Sequence, residues 1–266
     1  MTSTTQQPVL SVYRVEQQGT GAFDGGKITE TKPIGFPGEK SAVSRVGPLF
    51  YWAWATSHDD AVIGLHPHKG FEIISYVLAG ELGHYDTLGT RSRVAAGGAQ
   101  LMQTGSGVAH EERVFGDGSE FFQIWFEPHL AKAVTRAPTY REIAADEFPV
   151  AVRDGVRLKS VLGPGAPAQL VADAQATDVT IEPGRQHGVT LMAGRSIAAV
   201  VIDGNGGVDV ADPVASEEQE SVATRDFVVV RAERETVVTF SADASRQLRL
   251  FVVEVPSRVD YPLYSS

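Results

Sequence analysis

The sequence predicts an all-β protein built as a sandwich or a barrel. Three observations carry that expectation. Short runs rich in β-branched and aromatic residues recur along the chain, separated by glycine and proline punctuation. Helical signals are few. The second half repeats the outline of the first, which points to a duplicated β unit. With 266 residues and 42% apolar content, the chain can bury one large core or two medium ones.

The elements follow in chain order. Met1 to Gln7 is polar and Thr-rich and reads as a loose end. Glycine turn signals come next, at Gly19 and Gly21, Gly25 and Gly26, and Gly35 and Gly38. Leu49 to Ala55 alternates, with Phe50, Trp52 and Trp54 on one side. Ile73 to Leu78 is almost wholly β-forming. Tyr76 to Leu82 reads as strand, glycine turn at Gly80, strand. Phe121 to Phe126 is an aromatic strand. Pro128 to Ala133 and Tyr140 to Ala145 are expected to form helical turns in a linker. Ala199 to Asn205 then repeats the outline of Tyr76 to Leu82, and Leu250 to Val255 echoes Phe121 to Phe126. The acidic stretch Asp212 to Glu220 is expected to be a solvated hairpin loop rather than a docking loop.

Composition excludes several functions. The formal charge is −10 and the pI about 5.2. Such a chain repels phosphate backbones, so direct nucleic-acid binding is disfavoured. With no cysteine, there is no disulfide, zinc-thiolate site or thiol nucleophile. No apolar run approaches the roughly 18 residues of a membrane span. Met1 to Leu10 lacks a basic region followed by an apolar one, so a cytoplasmic setting is expected.

The chemistry lies between Gly64 and Glu112. This stretch opens G-L-H-P-H-K-G-F-E and closes G-S-G-V-A-H-E-E. Residues two apart on a strand share a face, so His66 and His68 project together, as do His110 and Glu112. If the two strands face each other, three imidazoles and a carboxylate converge, a ligand set for a divalent first-row metal. Seven histidines in this length give an H-x-H pair by chance in roughly one chain in six. The conjunction with Gly70, Glu72, Gly80, Gly105 and Gly107 is what makes the signal specific. Three neutral imidazoles, one carboxylate and a divalent ion sum to about +1, which attracts an anionic oxygen such as a phenolate.

Other residues invite plainer readings. His84 reads as a hairpin residue, with ligand orientation or substrate contact as the alternatives. His58 reads as surface, and His129 and His187 as structural or exposed. Phe50, Trp52, Trp54, Phe122 and Trp125 could line an aromatic pocket but are expected to fill a β core. The second half holds one histidine, His187, and cannot rebuild a three-histidine site.

His66-Pro67-His68-Lys69-Gly70-Phe71-Glu72 and Thr104-Gly105-Ser106-Gly107-Val108-Ala109-His110-Glu111-Glu112 resemble the two cupin motifs in the form found in the pirin family. Gly83 to Gly89 is also pirin-like. The resemblance implies two tandem cupin barrels, with a metal-binding domain at residues 1–140 and a cupin-like domain without a metal site at residues 141–266. It implies His66, His68, His110 and Glu112 as ligands and makes Glu72 a supporting residue. Glu112, if it loosens, could also act as a general base. The implied cofactor is one divalent transition metal ion, iron first, with nickel, manganese, copper, cobalt or zinc as alternatives. The implied activity is dioxygenation of a flavonol such as quercetin, which would make a small aromatic molecule and dioxygen the partners. The alternative is a non-enzymatic, metal- or redox-responsive regulator that binds a transcription factor or a metabolic enzyme. A third reading is an isomerase or lyase acting on a hydroxy-acid or sugar.

Overall fold

A computed structural model describes residues 9–211 and 218–264. The expected tail Met1 to Gln7 and residues 212–217 of the acidic stretch lie outside the described residues. Of the described residues, 61% are strand and 4% helix, as the glycine-punctuated β runs predict. No described helix is long and apolar enough to cross a membrane.

The strands in order are β1 (Val9–Tyr13), β2 (Gly19–Phe23), β3 (Ile28–Ile34), β4 (Leu49–His58), β5 (Ala61–His68), β6 (Glu72–Asp86), β7 (Arg91–Ala95), β8 (Ala99–Gln103) and β9 (Val108–Phe126). A short helix, α1 (Leu130–Ala133), and β10 (Thr139–Ile143) follow. Then come β11 (Val150–Arg153), β12 (Val156–Leu162), β13 (Gln175–Ile181), β14 (Gln186–Leu191), β15 (Arg195–Asp203) and β16 (Asn205–Ala211). The last four are β17 (Glu218–Ala223), β18 (Phe227–Arg231), β19 (Thr236–Ala242) and β20 (Leu248–Pro256).

Three local readings differ from the sequence expectation. Tyr140 to Ile143 lies in a strand, not a helical turn, because β10 finds a ladder partner in β8. Gly80 does not separate two strands. It is a bend inside the single 15-residue strand β6, whose ladder with β9 continues on both sides. Its φ of 71° and the Ser119 side chain pressed against it leave no room for a Cβ. Glu218 to Ala223 is strand β17, and Glu218 accepts the backbone N–H of Leu10 at 3.0 Å.

The chain divides into two compact units that are not contiguous halves. One comprises residues 17–148, 167–173 and 260–266; the other takes residues 1–16, 149–166 and 174–259. This differs from the expected division after residue 140 for identifiable reasons. β1 pairs with β18, five residues in register, and so belongs with the later strands. Residues 167–173 return to the first unit because Glu72 accepts hydrogen bonds from the backbone of Val171 and Ala172.

In the first unit the sheet runs β10-β8-β6-β9-β4-β3-β2, with β5 added to β9 and β7 to β6. The long strands β6 and β9 organise it. Each changes neighbours partway along, β6 from β8 to β7 and β9 from β5 to β4. Strands β3, β4, β6, β7 and β9 together supply a core of Ile28, Ala55, Val77, Leu82, Val94, Val114 and Phe121. Each large apolar side chain buried there contributes roughly 1.5–3 kcal/mol. The second unit pairs a seven-stranded with a four-stranded sheet over a valine-rich core centred on Val201, Val208, Val230 and Phe240.

Candidate metal centre

One irregularity in β5 aims its histidines. Ile63 stands opposite Glu112 and His66 opposite His110. Gly64 and Leu65 therefore face a single residue of β9, Glu111. This is a β-bulge. Side chains alternate along a strand, so if these same residues paired regularly from Ile63 onward, Leu65 would stand opposite His110, and His66 and His68 would fall on the opposite face from it. Leu65 takes the outward position and is 56% exposed.

The result is a compact histidine group. Ligand-capable nitrogens of His66, His68 and His110 all lie within 4.8 Å of one another. Nε2 of His68 and Nε2 of His110 are 3.1 Å apart. Burial, reinforced by the neighbouring imidazoles, pushes His68 down to about 3 and His110 to about 2. Both rings are thus neutral at physiological pH, with lone pairs available to a cation.

The hydrogen bonds fix which nitrogens are available. Nδ1 of His66 lies 2.8 Å from the carbonyl oxygen of Gly64 and donates to it. His84 donates from Nε2 to Asp86 at 2.9 Å, so its Nδ1 is an acceptor, 3.4 Å from Nδ1 of His110. Asp86 also accepts the backbone N–H groups of Leu88 and Thr90. This assignment leaves Nε2 of His66 and of His110 facing the group, the arrangement that supporting hydrogen bonds impose on metal-ligating histidines. The donor set fits one transition metal ion, and His66, His68 and His110 could hold it.

His84 lies in the β6–β7 hairpin, as its plain reading has it, and is buried there against His110, with the Tyr140 ring stacked on it at 3.9 Å. The pairing of His84 with Glu112 and Asp86 with His110 across β6 and β9 puts all four on one face. His58 is exposed, as expected, and bonds Thr29.

Glu112 is buried beside this group but is not one of its members. Both its oxygens accept from the Gln123 amide, at 2.7 and 2.8 Å. Gln123 is held in turn, because its Oε1 accepts the Trp125 indole N–H at 3.0 Å. Burial raises the Glu112 carboxyl above its ordinary range. Gln123 was missed in the sequence, although a lone amide in the run F-F-Q-I-W-F was a visible signal. Glu72 stands apart, buried and saturated by Val171, Ala172 and Gln103.

A cavity of about 680 Å³ opens on the site, and His66, His68, Glu112, Gln123 and Trp125 line it. Of the aromatics singled out in the sequence, only Trp125 reaches its lining. Trp52, Trp54 and Phe122 pack against one another on the opposite face of β4 and β9. Tyr51 and Phe36, not foreseen, complete the aromatic wall. His187 lines a smaller cavity of about 180 Å³ in the second unit with Gln175 and Glu254. No second metal-type group occurs among the described residues.

A family model described as Pirin matches residues 50–126. Pirin-1 of Arabidopsis thaliana is 28% identical over 192 residues, covering 71% of this chain and 64% of that protein. A Pseudomonas aeruginosa protein named as a candidate quercetin 2,3-dioxygenase is 32% identical over 165 residues, covering 60% of this chain and 67% of the relative. The match thus spans less than two thirds of the plant protein's length. Among solved structures, bacterial pirin YhhW of Escherichia coli in complex with nickel(II) superposes with a TM-score of 0.74 at 20% identity, covering 93% and 99% of the two chains. Quercetin 2,3-dioxygenase of Acinetobacter baumannii gives 0.76 at 14% identity, covering 93% and 79%. At such identities these structures speak for the fold, the tandem cupin arrangement expected from the motifs.

Proposed function

The chain belongs to the pirin family, and from that premise we propose that it is a metal-dependent dioxygenase that opens the ring of a flavonol of the quercetin kind. One observation carries the proposal: three imidazoles converge, those of His68 and His110 buried, beside a cavity walled by Trp125, Tyr51 and Phe36 and large enough for a flavonol. His66, His68 and His110 would hold one divalent ion, with Glu112 as the proposed fourth ligand. Iron stands first among the candidates, with nickel, manganese, copper, cobalt and zinc as alternatives. The nickel named for the E. coli relative supports a divalent ion. When bound, the ion supplies positive charge that favours the ionised form of a substrate hydroxyl and, if redox-active, a route for electrons to dioxygen.

The protein's own groups do the rest. Glu112 accepts the proton of the flavonol hydroxyl while Gln123 holds its carboxylate in place. Trp125 and Tyr51 keep the planar substrate against the histidines. The aromatic wall of the cavity limits the water that reaches the reacting carbons. In the net reaction, two carbon–carbon bonds of the central ring break and both atoms of dioxygen enter the ester-acid product. Carbon monoxide leaves, so atoms balance. An aromatic cavity favours this reading over the regulator, which needs none.

The test is flavonol bleaching by metal-loaded protein with and without oxygen, with carbon monoxide measured. Oxygen-dependent bleaching that releases carbon monoxide is expected. Oxygen-independent turnover by metal-free protein, or no bleaching with any of the six metals, would reject the proposal.

A further inference from the structure

The cavity has a second polar end that the proposed chemistry leaves unused. Glu30 and Lys32 sit two apart on β3, face inward together and are each 7% exposed. Lys32 Nζ lies 2.6 Å from Glu39 Oε1 and 3.8 Å from Glu30 Oε2. The other oxygen of Glu39 accepts the backbone N–H of Phe36 at 2.9 Å. The Tyr51 hydroxyl donates to Glu30 Oε2 at 3.4 Å. Glu30 lines the cavity wall, so its carboxylate is placed to take a donor from a molecule that enters there.

The backbone keeps space beside this carboxylate. A Cβ at Gly21 would stand 2.8 Å from Glu30 Oε2 and 3.0 Å from Lys32 Cε. Gly21, Glu30, Lys32 and Tyr51 line the same cavity as His66 and His68. A file of rings joins the two ends. The His68 ring lies 5.1 Å from Trp125, and Trp125 lies 4.5 Å from Tyr51, whose hydroxyl touches Glu30. A planar molecule lying along this file with one end at the histidines would present its other end to Glu30.

We propose that Glu30, backed by Lys32 and Tyr51, selects aromatic substrates that carry a hydroxyl donor on the end remote from the histidines. The inference rests on the flavonol reading and narrows it to polyhydroxylated members. Two acids against one lysine make this end unsuited to a carboxylate or phosphate on the substrate. Burial also holds the Glu30 carboxyl at about 7, so near neutrality it can either accept a hydrogen bond or donate one.

The test compares quercetin with 3-hydroxyflavone, which keeps the metal-binding hydroxyl–ketone pair and lacks the remote hydroxyls. Binding to metal-loaded protein is followed by quenching of tryptophan fluorescence, with metal content measured in parallel. The unaltered protein should prefer quercetin by about tenfold, one well-made hydrogen bond to a charged group. Glu30→Leu should bring the ratio to about one at full metal content, whereas Glu30→Gln, which still offers an acceptor, should retain most of it. Gly21→Ala, which crowds the carboxylate without removing it, should also lower the ratio and serves if Glu30→Leu fails to fold. A ratio near one in the unaltered protein, or one unchanged by Glu30→Leu, overturns this inference alone. Failure of the unaltered protein to bind either compound overturns it together with the flavonol reading.

Discussion

His84 does its work through another residue. Its Nδ1 faces Nδ1 of His110, and its far nitrogen is tied to Asp86. Replacing it with phenylalanine keeps a ring under Tyr140 but removes the acceptor. His84→Phe should weaken metal binding about 10–100-fold, measured by competition with a chelator. An unchanged affinity would mean that His110 holds its orientation without help. His110→Ala should abolish stoichiometric metal binding outright, as elemental analysis would show. Glu30 makes a prediction about acidity. Its folded-state pKa is raised from 4.5 to about 7, so between those values the folded protein binds more protons than the unfolded chain. The stability Glu30 contributes is therefore fully present below pH 4.5 and is lost as pH rises through about 7. Glu30→Gln should flatten that part of the unfolding free-energy profile, read as its difference from the unaltered protein. At this scale the sequence made the three histidines legible, because period-two spacing and flanking glycines say where side chains point. It did not reveal Glu30 or Tyr51, which owe their roles to each other across strands that no local pattern pairs, and for Gln123 it offered only a lone amide in an aromatic run.

Among the elements, the bulge in β5 and the bend in β6 bear on the site most directly. Deleting Leu65 leaves Gly64 alone opposite Glu111 and keeps His66 opposite His110 in a regular ladder. His66 and His68 should then stay on the inner face, and metal binding should persist while the circular dichroism of the β structure is unchanged. Lost binding would show that the bend of the bulge, and not the register alone, aims the two rings. Gly80→Ala places a methyl where the Ser119 hydroxyl already stands, at a backbone angle that suits glycine. It should cost more than about 1 kcal/mol, read from the denaturant midpoint. The sequence marked Gly80 as an interruption, since glycine breaks a β run whether the chain turns or bends. Only the ladder with β9, from Glu72 to Asp86, decides that one strand continues through it. The same limit explains β10. Tyr140 to Ile143 carries no strong β pattern and becomes strand because β8 offers an open edge.

For the whole molecule, metal and folding are linked. An ion that binds only the folded histidine-bearing unit at a hundred times its Kd should stabilise that unit by about 2.7 kcal/mol. Thermal unfolding should show one transition that rises with metal, falls with chelator and loses both responses in His110→Ala. A transition indifferent to metal in the unaltered protein would argue against the site. The all-β class and the two-fold repetition were legible from patterning, because turn residues and alternation are local. The make-up of the two units was not, because strand exchange and the capture of residues 167–173 by Glu72 depend on partners far away in sequence. The pairing of β1 with β18 also bears on synthesis. Val9 leaves the ribosome long before its partner Arg231 has been made, and at ordinary translation speeds the wait is roughly 10–40 s. Throughout that interval Val9–Tyr13 is an orphan segment with unpaired backbone groups, so the unit that holds no histidine cluster can complete its larger sheet only near the end of translation.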